Sequence, residues 1–90
     1  MFYVYILVSE IKGLRFYIGM AQDIDRRLKK HNSGKSRSTK GYVPWKLFKT
    51  EVFETRMEAR NREKYLKSGA ARERIREQWS KYIENKNKIP

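Results

Sequence analysis

The chain contains no cysteine, one histidine and two prolines among its 90 residues. Without cysteine there is no disulfide framework, no thiolate-ligated zinc and no cysteine nucleophile. A lone histidine, His31, cannot supply half of a two-histidine metal site. No apolar run approaches the roughly 20 residues of a membrane-spanning helix. The start, Met1-Phe2-Tyr3-Val4-Tyr5, lacks the basic opening and small-residue cleavage site of a signal peptide. The expectation is a cytoplasmic protein with no membrane association. Acidic residues are also scarce: 10 Asp plus Glu face 22 Lys plus Arg, for a formal charge of +12. That excess opposes compaction by self-repulsion, and a polyanionic partner is its natural counterpart. Charge alone points to nucleic acid and stops short of catalysis; the plainer alternative is a solvated basic surface, as on a ribosome-associated protein.

Hydrophobic patterning predicts one domain over residues 1–84 and a polar tail over 85–90. Residues 2–8 are apolar and aromatic enough for a buried strand, and residues 14–18 form a second. The short Gly13-containing loop between them makes an antiparallel hairpin. Asp23 suits an N-cap, so a helix is expected from Ile24 to about His31, ended by Asn32-Ser33-Gly34. The stretch from Asn32 to Pro44 is a basic loop of small polar residues, equally suited to contacting phosphates and to being a mobile connection. Trp45 to Phe53 alternates like a strand with one exposed face. Thr55 and Glu58 stand in capping-box relation at the head of a second helix, and Gly69 is placed to end it in a left-handed turn. A third helix is expected from Ala70 to about Ile83, with Ile75, Trp79 and Tyr82 or Ile83 on one side.

The helix after Asp23 carries the most informative anomaly. At about 100° per residue, Ile24, Arg27, Leu28 and His31 share one side. An arginine and a histidine on an apolar stripe cost stability unless they face a cleft or a bound anion. A functional site is expected there.

Tyr17-Ile18-Gly19, with Arg27 and His31 following, gives the chain its resemblance to the GIY-YIG nuclease superfamily. Tyr3-Val4-Tyr5 stands at the first motif, with Tyr3 in place of its opening glycine, and Tyr17-Ile18-Gly19 repeats the second unchanged. Arg27 matches the family's arginine, His31 a histidine one turn later, and Glu63 the glutamate of a later helix. The ordered set is far more specific than either three-letter motif. The resemblance implies an α/β domain with a small antiparallel three-stranded sheet flanked by helices, in the order β-β-α-β-α-α. It looks closest to small stand-alone bacterial members, which share this domain with the excinuclease subunit of nucleotide-excision repair.

It also implies an activity, metal-dependent hydrolysis of DNA phosphodiesters, structure-selective and repair-related. Glu63 is then the ligand of one Mg²⁺ or Mn²⁺ ion, and Arg27 the group that binds the scissile phosphate. Tyr5 is the first choice as general base, Tyr17 orients water or phosphate, and His31 holds a phosphate or relays a proton. Gly19 is read as letting the chain leave the second strand and turn toward the Arg27 helix. Lys35, Arg37, Lys40 and Lys67 are candidate phosphate contacts on duplex or branched DNA. Glu63 also lies four residues before Lys67, the spacing of a simple surface ion pair. A protein partner that presents the substrate is compatible with so small a domain. The alternative is a non-catalytic nucleic-acid-binding module that keeps the fold, which has no need of a carboxylate facing a phosphate.

Overall fold

A computed structural model describes residues 1–87. The elements are β1 (Phe2–Ser9), β2 (Arg15–Ala21), α1 (Ile24–Asn32), a 3-10 turn (Lys40–Tyr42), β3 (Lys46–Phe53), α2 (Arg56–Leu66) and α3 (Gly69–Asn87). The expected order β-β-α-β-α-α holds. The strands form one antiparallel sheet in the order β2-β1-β3. β1 is central, which explains its unbroken apolar text: Val4 to Val8 are buried on both faces of the sheet.

Alternation along β1 and β2 sends side chains into two cores. Val4, Ile6 and Ile18 pack with Ala59 and Leu66 of α2 and with Ala71 and Ile75 of α3. Tyr5 and Leu7 point the other way, where Trp45 closes a second cluster bordered by Tyr17, Ile24, Leu28 and Tyr42. The sheet is therefore a middle layer, with α2 and α3 on one side and α1 with the 33–45 segment on the other. Between Ile6 and Leu7 the pairing to β3 slips by one residue, so Phe48 is the extra residue of a bulge. Its ring meets Trp79 of α3 edge-on at 5.1 Å.

Local signals explain the helix starts. Asp23 Oδ1 accepts from the Arg26 amide at 3.1 Å, and the Thr55–Glu58 capping box is complete. Gly34, at φ 76°, lies just past the end of α1.

Three expectations are corrected. Gly69 does not end α2 in a left-handed turn; it is the first residue of α3, and Ser68 caps that helix by accepting from the Ala71 amide. A serine at the N-cap outweighs the glycine stop signal because it satisfies an otherwise unpaired amide. Second, α3 continues to Asn87, so residues 85–87 of the expected tail are helical, and the rest of that tail lies outside the described residues. Third, β2 extends to Ala21, which places Gly19 inside the strand and not at its exit.

Candidate active site

Gly19 pairs directly across the sheet from Tyr5. A methyl group on Gly19 would collide with the Tyr5 hydroxyl and ring carbon Cζ, and press on the Tyr17 ring. The glycine therefore serves close approach: it lets the Tyr5 ring lie across β2, the outer strand, and carry its hydroxyl toward the sheet edge. That physical role replaces the turn expected from sequence.

Around this hydroxyl the predicted residues assemble. Tyr5 is only 1% exposed, and its hydroxyl lies 3.1 Å from His31 Nε2. His31 Nδ1 is 3.1 Å from the hydroxyl of Thr39, itself fully buried. The Tyr17 and His31 rings stand 4.7 Å apart between centroids, and the Tyr5 and Tyr17 rings 6.3 Å. Burial pushes His31 below its ordinary pKa, with the positive charges of Arg27 and Lys30 adding to the effect. The imidazole is accordingly neutral at neutral pH, one nitrogen donating and the other accepting, and either hydroxyl neighbour can answer either role. At 3% exposed, His31 is closed off from solvent. It lies between the Tyr5 and Thr39 hydroxyls, one step behind Tyr5.

Burial raises the Tyr5 pKa, and the nearby Arg27 side chain pulls it back without cancelling the rise. A phenol so placed gives up its own proton less readily than an ordinary tyrosine, so less of it stands as the phenolate that can take a proton from water. Tyr17, half-buried, is the phenol of the pair that lines an open depression. Arg27 is held further up its own range by Tyr5. Its Nε is buried without a hydrogen-bond partner, and no carboxylate pairs with the guanidinium among the described residues. An arginine that leans on the Tyr5 hydroxyl, answers to no carboxylate and keeps its Nε unpartnered is suited to an oxyanion ligand.

Glu63 occupies the sheet-facing side of α2, one turn beyond Ala59. Its side chain is 16% exposed. The expected pair with Lys67 is present: Glu63 Oε2 accepts from Lys67 Nζ at 3.4 Å, while Oε1 has no partner among the described residues. Glu63 lies near enough for its charge to raise the Tyr5 pKa. No group of three or more His, Asp or Glu gathers for a metal among the described residues. A hard divalent ion of the magnesium type needs no such cage, because it keeps several waters and shares phosphate oxygens, so one carboxylate with a free oxygen fits it.

The 33–45 segment is more ordered than its sequence suggests. Asn32 clasps Trp45 at both ends of its backbone: Asn32 Nδ2 donates to the Trp45 carbonyl at 2.9 Å, and Asn32 Oδ1 accepts the Trp45 amide at 2.6 Å. Trp45 Nε1 donates to the Thr39 carbonyl at 3.0 Å. Lys35, Arg37 and Lys40 project from this segment as exposed cations. Of its residues, Ser38 and Trp45 reach the depression that Tyr17 and Lys67 line, and the three cations do not. Sequence reasoning missed Thr39 and Asn32, whose side chains bond to partners 8 and 13 residues away. It also missed Arg72 and Arg76, which line the same depression from α3; their spacing of four on a helix was the available signal.

Comparison with known proteins follows the same lines. The GIY-YIG catalytic domain matches residues 1–78. A UPF0213 protein of Clostridium perfringens is 36% identical over 94% of this chain and 90% of its own length. Another, from Halalkalibacterium halodurans, is 47% identical over 63% of this chain and 60% of its own. The solution structure of a UPF0213 protein from Bacillus halodurans superimposes with a TM-score of 0.50 at 32% identity, covering 97% of this chain and 96% of that one.

Proposed function

The chain belongs to the GIY-YIG domain family, and from that premise we propose that it is a metal-dependent endonuclease acting on DNA. The observation that carries this reading is Arg27: a guanidinium with a buried, unpartnered Nε, set among Tyr5, Tyr17 and His31. Phosphodiester hydrolysis needs charge stabilisation at the phosphoryl oxygens, a water held in line and help for the departing oxygen. Arg27 binds the scissile phosphate through its fork and stabilises the added negative charge. Tyr17, at the open side, orients the attacking water and is the phenol better placed to take its proton. Tyr5 and His31 fix the position of Arg27 and Tyr17 from behind. Glu63 would hold one Mg²⁺ or Mn²⁺ ion, which when bound would supply positive charge to neutralise the phosphate and assist the leaving oxygen. Selectivity for branched or damaged DNA, and a place in repair, fit a domain that carries phosphate contacts and no recognised base-reading module.

The test is cleavage of plain, nicked, flapped and branched DNA with Mg²⁺, Mn²⁺ or chelator, for wild type and Glu63→Gln. The variant keeps shape and loses the charge. Metal-dependent cleavage is expected to disappear while DNA affinity stays or rises slightly. Cleavage with an unaltered metal response, and a helix weakened by only about 0.2–0.5 kcal/mol, would return Glu63 to a surface ion pair with Lys67.

A further inference from the structure

β2 is an outer strand, and a basic depression opens at each of its ends. Beside Arg15 to Ile18, the depression is lined by Arg15, Lys67, Arg72 and Arg76 and has no acidic residue in its wall. Beside Met20 to Asp23, the other is lined by Arg26, Arg27, Lys30 and Arg56, and the acid there, Asp23, is engaged as the cap of α1. α2 runs alongside, with Arg56 at one depression and Lys67 at the other, so that Glu63 falls between them in the chain.

Most of these cations have no competing carboxylate among the described residues. Arg26, Lys30, Arg56, Arg72 and Arg76 make no ion pair among the described residues. Arg15 is held in place by its stack on the Tyr42 ring, at 4.4 Å from the centroid. Cations that only solvate a surface need not gather at both ends of one strand, with Tyr17 in the wall of one depression and Arg27 in the wall of the other.

We propose that the two depressions hold a single DNA strand on both sides of the cleaved bond, with Arg15, Arg72 and Arg76 gripping phosphates on one side and Arg26, Lys30 and Arg56 on the other. This rests on the placement of the reaction at Arg27. The dimensions agree. Seven residues of β2 extend roughly 20 Å at a strand's rise per residue, and from Arg56 to Lys67 α2 advances about 16 Å at a helix's rise. A strand of duplex advances about 3.4 Å per nucleotide, so the track spans about six nucleotides.

Salt dependence of binding reads this out without any need for cleavage. The measurement is affinity for duplex DNA against salt concentration in chelator, for wild type, Arg72→Gln/Arg76→Gln, Arg26→Gln/Lys30→Gln, and the charge-matched control Lys81→Gln/Lys86→Gln. All substituted positions are exposed, and the control pair lines neither depression. Each depression variant is expected to flatten the slope of log K against log salt by about 1.8, or about 0.9 per lost phosphate contact, while the control keeps the wild-type slope. A flattening from one end only, or an equal flattening by the control, overturns the two-sided track, as does a wild type that binds no DNA. Flattening at both ends in a protein that cuts no DNA upholds the track and removes the nuclease reading. Unchanged slopes in a protein that does cut remove the track alone.

Discussion

His31 is the chain's one histidine, which makes it a clean reporter of the site. Its pKa is lowered in the fold, mainly by burial, so between that lowered value and the ordinary value of about 6.5 the unfolded chain binds the extra proton and the folded one does not. Stability is then fully present above about pH 6.5 and is lost as the pH falls through that window. Thermal melts should show this loss for wild type, and His31→Gln, which carries no titrating group there, should lack it. A variant with the same acid dependence would show that the imidazole is not held neutral between Tyr5 and Thr39. Gly19 gives a second test at this scale. Gly19→Ala is expected to cost about 1–3 kcal/mol, from overpacking against the Tyr5 hydroxyl. A melt unchanged from wild type would mean that the phenol does not lie over β2.

At the scale of elements, those read correctly were the ones whose signals are local. Asp23, the Thr55–Glu58 box and the apolar run of β1 each act within a few residues, and each formed what its chemistry favours. Gly69 misled because glycine marks an end only when no better cap stands beside it, and Ser68 was that cap. Gly19 was visible as a motif residue, but its purpose depends on which residue sits opposite, a property of sheet register. The site divides similarly. Arg27 and His31 on one apolar stripe announced a site from periodicity alone, while Thr39 and Asn32 act over distances that periodicity does not encode. Asn32 tests that last point. Asn32→Ala removes both bonds to the Trp45 backbone, leaving partly buried groups unpaired, at a cost of about 1–3 kcal/mol. Amide hydrogen exchange should rise through residues 33–45 more than in β1. Uniform exchange across the two would mean that the segment does not depend on this clasp.

The molecule as a whole carries +12 on 90 residues, yet the one buried side-chain donor without a partner among the described residues, Arg27 Nε, lies beside the phenol cluster and not on the charged surface. General charge accounts for attraction to DNA; the chemistry is asked of Arg27. The direct measurement is single-turnover cleavage of DNA with Mg²⁺ by wild type and Arg27→Ala, with affinity measured in parallel in chelator. The account predicts a metal-dependent wild-type rate that falls by at least about 10²–10³-fold in the variant, the scale of losing one electrostatic stabiliser of the transition state, with the fold and most of the affinity retained. A folded Arg27→Ala protein that cuts at the wild-type rate, or a wild type that cuts no form of DNA with either metal, would contradict it.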